Sequence, residues 1–557
     1  MTLEVTVKTL VPAPLVLAMS MTLAACSHQA EQAAPTHDVA DSRQPQTVPG
    51  KPVMAEAKRM MADSAYSGLA AVQVAPQPPM GVPAQHERDR FAEIDDNGII
   101  RTQDTPVSTF SIDVDTASYS FSRRQINHGR LPQPDAIRLE EWVNYFDYDY
   151  PAPDTPDTPF LTQVSVSDSP WRAGNKLLHI GIKGFEPKAE TRPKANLVFL
   201  LDVSGSMMAE DKLPLVTRSL RMMVDQMHPD DTVALVVYAG AAGVVLEPTE
   251  IRDKHRIETA LKALSAGGST AGGEGIELAY DLAEQHFDKA AINRVILATD
   301  GDFNVGVTDQ DALEGLITRK REKGIYLSVL GFGQGNYNDS LMQTLAQNGN
   351  GVAAYIDTLN EARKVLVTES TSSLVPIAED VKIQVEFNPA TVQEYRLLGY
   401  ETRALEQEDF NNDKVDAGEI GAGHTVTAIY EITPVGAAPM IEPGRYETGK
   451  SKTDTPFAGE YAFLKLRYKR PGERRSQRIE TPVPVDTKNT DALQSRETAF
   501  AVAVAGAAQL LKGSPYTGDW QLEDAIELAQ KNKGDDAYGY RSEFIQLLRQ
   551  AEVSEKI

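Results

Sequence analysis

Five oxygen-bearing side chains have the types, order and spacing that suit a divalent cation. Asp202, Ser204 and Ser206 alternate directly after one apolar run, and Asp300 follows a second apolar run further along the chain. Thr270 lies between them in a glycine-rich segment. Two carboxylates and three hydroxyls, without nitrogen or sulfur, suit a hard cation that keeps several waters. The pattern therefore predicts a Mg²⁺ site, with Mn²⁺ as a substitute.

These side chains meet only if the apolar runs are neighbouring strands that end at one edge of a sheet. Continuous apolar runs, typical of parallel strands buried on both faces, occur at 197–201, 233–238, 295–298 and 325–330. Helical patterns separate them, at 213–227, 257–264, 275–287, 311–323 and 341–346. This alternation predicts an α/β fold with a doubly wound, mostly parallel sheet. Ligand sites in such sheets lie beyond the carboxyl ends of the strands, at a topological switch point.

The segment Asp202-x-Ser204-x-Ser206, followed by Thr270 and Asp300, resembles the metal-ion-dependent adhesion site of the von Willebrand factor type A (VWA) domain. The resemblance implies that the two serines and often the threonine bind the metal directly, and that both aspartates bind it directly or through water. It also implies an open coordination position for a carboxylate of a protein partner. Because two carboxylates only just neutralise a divalent cation, another anionic oxygen still gains energy there.

Strand patterns flank the α/β segment on both sides. They occur at 161–166, 176–182, 381–387, 395–400, 424–432 and 460–468. One economical arrangement lets 160–186 and 380–470 share a β-sandwich into which the α/β domain is inserted. Helical patterns then follow, at 497–511, 522–531 and 539–548. We therefore expect a C-terminal helical region.

Residues 108–119 and 138–146 resemble the N-terminal module of bacterial YfbK-type envelope proteins, and residues 410–414 and 539–544 resemble their C-terminal module. Together with the VWA resemblance, this covers nearly everything from about residue 90 to residue 550. The expected organisation is a signal peptide at 1–25, a flexible tether at 26–88, the N-terminal module at 89–190, the VWA domain at 194–372, a β-rich segment at 376–480 and the helical part at 481–557.

The first residues are typical of an exported lipoprotein. The apolar stretch at 10–19 is broken by two prolines and is too short for a permanent membrane span. The sequence Leu-Ala-Ala-Cys at 23–26 resembles a lipobox, which implies cleavage before Cys26 and acylation of that cysteine. Ser27, rather than aspartate, follows and favours the outer membrane, facing either the periplasm or the cell surface. An ordinary signal peptide with an incidental cysteine is the alternative.

Composition excludes several function classes. The chain has 55 basic and 79 acidic residues and a net charge of −24, so it repels polyanions and no nucleic-acid partner is expected. One cysteine in 557 residues excludes an intramolecular disulfide framework, a cysteine-rich zinc site and an iron–sulfur cluster. The sequence has neither a His-Glu-x-x-His nor a Gly-x-Ser-x-Gly motif, and we do not expect an enzyme.

The leading hypothesis is a lipid-anchored envelope protein that recognises an acidic residue of a protein partner through Mg²⁺. One alternative is an envelope scaffold in which the metal only rigidifies the loop. Another is a hydrolase in which Mg²⁺ polarises a phosphoryl or carbonyl oxygen.

Three other motifs are interpreted mainly as structural. Residues 444–451 match a P-loop pattern, but prolines precede them and no helical pattern follows. Residues 409–420 resemble an EF-hand loop without its glycine and its final glutamate. Asp113 and Asp115 share a face if they lie on one strand, which leaves a second cation site open beside capping or network roles.

Overall fold

The computed structural model describes residues 89–112, 114–187, 192–268, 272–301, 303, 310–415, 417–442, 444, 457–485 and 492–555. The signal peptide, Cys26 and the tether lie outside the described residues. So do Asp113, Thr270 and most of the P-loop-like segment.

The described chain consists of a series of strands and helices. The strands are β1 (Ile100–Arg101), β2 (Val107–Ser111), β3 (Phe160–Asp168), β4 (Lys176–Gly184), β5 (Ala195–Asp202), β6 (Thr232–Tyr238), β7 (Ala242–Glu250), β8 (Ile292–Thr299), β9 (Ile325–Phe332), β10 (Ala353–Ile356), β11 (Pro376–Phe387), β12 (Val392–Leu398), β13 (Gly418–Gly421), β14 (Thr425–Pro434), β15 (Glu460–Lys469) and β16 (Gln477–Pro484). The α-helices are α1 (Ala117–Asn127), α2 (Leu139–Asn144), α3 (Leu213–Val224), α4 (Lys254–Ala263), α5 (Gly272–Gln285), α6 (Gln310–Arg321), α7 (Asp339–Asn348), α8 (Leu359–Arg363), α9 (Ser370–Leu374), α10 (Ala492–Lys512), α11 (Leu522–Asn532) and α12 (Tyr540–Glu555).

The central sheet has the order β10-β9-β8-β5-β6-β7. Its pairs are parallel except β6 with β7, which are antiparallel. In β5, Leu197, Phe199 and Leu201 belong to the core on one face, whereas Val198 and Leu200 belong to the core on the other. Burial on both faces explains the continuous apolar run and confirms the predicted doubly wound α/β fold.

Strand β5 lies at the topological switch point. The chain passes from β5 through α3 to β6 on one side, and later returns to β8 on the other side of β5. The connection after β5 runs to one side of the sheet, and the connection after β8, through α6 to β9, runs to the other side. A crevice therefore opens between the carboxyl ends of β5 and β8. The residues after β5 and β8 lie at this edge.

Two antiparallel sheets flank the central domain and share one core. The first has the order β1-β12-β14-β4-β3, and the second contains β13-β11-β15-β16 with β2 paired to β11. Strand β4 precedes the α/β domain and pairs with β14, which follows it. The pairing confirms that the α/β domain is inserted into a β-sandwich built from both flanks.

Helices from the two ends of the described chain form one hydrophobic core. Trp142 of α2 and Tyr119 of α1 are buried in the same cluster as Phe500 of α10 and Phe544 of α12. The expected N-terminal module and C-terminal helical part are therefore packed together in the fold. Among the described helices, none is both long enough and apolar enough to cross a membrane.

Candidate metal site

Asp202 is the last residue of β5, and its buried carboxylate is held by three donors. Oδ1 accepts the backbone N–H of Ser204 at 2.8 Å. Oδ2 accepts the hydroxyls of Tyr238 at 3.2 Å and Thr299 at 3.4 Å, from the ends of the two strands beside β5. These contacts fix the carboxylate at the switch point.

The two serines of the same loop point to a common place. Their hydroxyl oxygens are 3.0 Å apart. Ser204 is buried, whereas Ser206 is exposed and begins the side of the site that faces solvent. The predicted alternation of carboxylate and hydroxyls therefore places Asp202, Ser204 and Ser206 together, with one open side.

The glycine-rich segment is tied to this loop through its backbone. Gly267 donates its N–H to the carbonyl of Val203 at 2.7 Å, and Gly205 donates to the carbonyl of Gly268 at 3.0 Å. Gly268 has a φ of +92°, which favours glycine over any L-residue. Thr270, two residues further along, lies outside the described residues, so its place in the site stays a prediction.

Asp300 directly follows β8 and is fully buried. Its Oδ2 accepts a hydrogen bond from Nζ of Lys212 at 2.7 Å. Both side chains of this ion pair are almost entirely buried. Lys212 was not among the predicted site residues. Its stem lies against Gly333, where φ is +72° and a Cβ would overlap with the lysine side-chain carbons.

Burial governs the electrostatics of the site. It raises the pKa of Asp202, and the negative charge of Asp300 raises it further, against the hydrogen bonds that Asp202 accepts. Burial also raises the pKa of Tyr238, so its hydroxyl stays protonated and donates to Asp202. Asp300 is paired with Lys212, whereas Asp202 accepts its hydrogen bonds from neutral donors.

The donor set fits Mg²⁺. Asp202, Ser204, Ser206 and Asp300 offer only oxygen, which is the ligand type that Mg²⁺ and Mn²⁺ prefer. In the part of the chain that the structure describes, no three His, Cys, Asp or Glu side chains cluster as metal ligands. A site with two carboxylates and hydroxyls suits a cation that retains water better than one that needs many charged ligands.

The other acidic motifs are engaged in structural contacts. Asp115 accepts the backbone N–H of Ala353 at 2.7 Å and lies 3.4 Å from the guanidinium of Arg403. Asp413, in the EF-hand-like segment, pairs with Arg467 at 2.9 Å. These partners favour the network role for Asp115 and a surface turn for the EF-hand-like segment.

Three family models match the sequence. The model described as "von Willebrand factor type A domain" matches residues 196–368, which include the site. A model described as "von Willebrand factor" matches residues 85–179. The model described as "Uncharacterized protein YfbK, C-terminal" matches residues 372–553.

Among curated proteins, the chain is 43% identical to "Uncharacterized protein YfbK" of Escherichia coli K12 over 469 residues, which are 83% of this chain and 81% of the relative. It is 26% identical over 267 residues to inter-alpha-trypsin inhibitor heavy chain H3 of Mesocricetus auratus, which are 44% of this chain and 30% of that protein. Among solved structures, it is similar to a von Willebrand factor type A protein from Catenulispora acidiphila, with 16% identity, 71% of this chain and 91% of that chain covered, and a TM-score of 0.38.

The match to the Escherichia coli protein extends through the VWA domain and both flanks, and it agrees with the sandwich, the inserted α/β domain and the helices of the fold. On these grounds the chain belongs to the YfbK family and carries a central VWA domain.

Proposed function

We propose that this protein binds an acidic residue of a protein partner through a Mg²⁺ ion held by Asp202, Ser204, Ser206, Thr270 and Asp300. The observation that carries the proposal is the cluster of oxygens at the switch point. The serine hydroxyls lie 3.0 Å apart beside the fixed carboxylate of Asp202, and the exposed Ser206 leaves one side of the site open. Mg²⁺ would supply an electrophilic centre there that attracts a carboxylate oxygen.

The contacts of the acidic groups favour binding over hydrolysis. A hydrolase needs a general base within reach of the metal-activated water. Both oxygens of Asp202 already accept hydrogen bonds, and Asp300 is paired with Lys212. Tyr238 is kept protonated by burial. The titratable groups that the described residues place in the site are therefore engaged as ligands or partners, so we propose that the protein is not an enzyme.

Calorimetric titration of Mg²⁺ into the full chain tests the proposed site. We expect saturable binding to the wild type and its loss in Asp202→Ala, because the variant removes one of the two carboxylates of the proposed site. Asp225→Ala is the matched control, since Asp225 lies half-exposed at the surface in a pair with Lys254, and it should bind like the wild type. Folded wild-type protein that takes up neither Mg²⁺ nor Mn²⁺ would refute the site.

A capture experiment separates partner binding from a purely structural metal. Envelope extracts are passed over the immobilised chain in Mg²⁺ and in EDTA. Retention that needs both Mg²⁺ and Asp202 favours the binding role. If Asp202→Ala lowers thermal stability but leaves every retained protein in place, the metal is structural and the chain is a scaffold.

We also propose that Cys26 carries the lipid that anchors the protein in the cell envelope, at the outer membrane. A single acyl chain gives only marginal membrane binding, so stable anchoring takes the two or more chains that a lipidated N-terminal cysteine carries. In cells grown with labelled palmitate, the wild-type protein should become labelled and Cys26→Ser should not. The variant should also move from the membrane fraction to the soluble fraction. Equal labelling of both forms would contradict the anchor.

A further inference from the structure

A positively charged side chain, that of Lys212, lies beside the proposed metal site. Nζ of Lys212 lies 2.7 Å from Oδ2 of Asp300, and both side chains are almost entirely buried. An ion pair at this depth is screened by salt much less than a surface pair. A divalent cation that binds to Asp300 must therefore share this carboxylate with an ammonium or take it over.

The position of Lys212 is fixed by its surroundings. It is the residue directly before α3, so its backbone is held at the start of that helix. Its aliphatic stem occupies the space that a side chain at position 333 would fill, and Gly333 has the positive φ that glycine tolerates best. These contacts place the stem so that the ammonium reaches Asp300.

Charge counting gives the consequence. Asp202, Asp300 and Lys212 sum to one negative charge, so a bound divalent cation brings the total to one positive charge. Without the lysine, the charges of the two aspartates and the divalent cation would cancel. Lys212 therefore opposes the metal alone, but it attracts an anionic ligand once the metal is present.

We propose that Lys212 competes with the divalent cation for Asp300 and thereby couples metal binding to the binding of a carboxylate ligand. The inference rests on the proposed function, because it assumes the Mg²⁺ site. The metal is held weakly by the protein alone and more tightly when a carboxylate neutralises the excess positive charge. By linkage, the metal strengthens carboxylate binding by the same factor.

The test is calorimetric titration of Mg²⁺ into the full chain, with and without acetate as the carboxylate probe, at constant ionic strength. The variants are Lys212→Gln, which keeps a donor for Asp300 but removes the charge, and Lys254→Gln as a surface control. A neighbouring charge changes the proton affinity of a carboxyl by about tenfold or more. We expect Lys212→Gln to bind Mg²⁺ at least about tenfold more tightly and to show a smaller gain from acetate.

A second readout covers a variant that folds poorly without metal. Mg²⁺ should raise the Tm of Lys212→Gln by more than it raises the Tm of the wild type, because ligand stabilisation grows with affinity.

Two outcomes overturn the inference, and they are distinguishable. If the wild type binds Mg²⁺ and Lys212→Gln binds it equally or less tightly, with the same acetate effect, the competition is refuted and the metal site stands. If neither form binds Mg²⁺ by calorimetry or by a Tm shift, the proposed site and the inference fail together.

Discussion

Replacing Arg123 by methionine should lower the free energy of unfolding by about 3–5 kcal/mol, because the change leaves two carboxylates buried without their cation. Arg123 in α1 is almost fully buried and binds Asp357 and Glu361 of the VWA domain, with Nε 2.9 Å from Asp357 Oδ2 and Nη2 2.8 Å from Glu361 Oε2. Its Nη1 also donates to Tyr145 at 2.7 Å and to Glu543 of α12 at 3.3 Å. One guanidinium thus joins three parts of the fold.

Urea denaturation of the full chain measures this loss, with Glu543→Gln as the matched control. The Glu543 side chain is 37% exposed and lies at the edge of the cluster, so its change should cost no more than about 1 kcal/mol. Equal losses in the two variants, or a loss below about 1 kcal/mol for Arg123→Met, would show that the buried cluster does not hold these elements together.

The pH dependence of Arg123→Met gives an independent check. Burial raises the pKa of Asp357, and the charge of Arg123 opposes that rise. Without Arg123, the folded variant should hold a proton on Asp357 at a pH where the unfolded chain has lost it. Its stability deficit should therefore shrink as the pH falls from about 7 towards the ordinary aspartate pKa of about 4. A deficit that grows over this range would contradict the explanation.

The central fold could be predicted because its strands are buried on both faces. A parallel strand such as β5 places apolar side chains in two cores, so its sequence is continuously apolar and the strand is recognisable without its neighbours. Strand β7 was not predicted. It is an antiparallel edge strand in which Val244 and Val245 are partly exposed, and its sequence carries a weaker pattern.

The shared core of the two chain ends could not be read from local patterns. The sequence of α10 indicates only that the helix buries most of its surface. The cluster that it shares with Trp142 and Tyr119 brings together residues hundreds of positions apart. The β-sandwich was easier to infer, because unpaired strand patterns on both sides of an α/β domain need partners. The pairing of β4 with β14 provides them.

In the candidate site, the four described motif residues lie at the predicted edge, but their cationic neighbour was missed. Lys212 precedes a helix in a polar stretch, where a lysine is normally solvated, and its partner Asp300 is 88 positions away. Gly333 makes room for the lysine stem, but a glycine by itself does not indicate which side chain lies against it. Lys212, Asp300 and Gly333 are far apart in the sequence and meet only in the folded structure, so the sequence alone does not reveal their contact.

Lowering the pH from 7.5 to 5 should destabilise the protein by about 2 kcal/mol through His179 alone. His179 in β4 is fully buried, and burial lowers its pKa to about 4. Its Nε2 is 3.0 Å from the neutral hydroxyl of Tyr150, which supplies no counter-charge for a proton. Between about pH 6.5 and pH 4 the unfolded chain binds a proton that the folded chain does not, so stability falls as the pH falls.

Urea denaturation of the wild type and of His179→Gln at both pH values isolates this contribution from the other titrating groups. The glutamine cannot take up a proton in the unfolded chain, so the variant should lose about 2 kcal/mol less than the wild type on acidification, whatever its stability at pH 7.5. His228→Gln is the control, because that side chain is 52% exposed at the surface. If the wild type and His179→Gln lose the same stability on acidification, the folded protein takes up the proton on His179 as readily as the unfolded chain does, and the prediction is wrong.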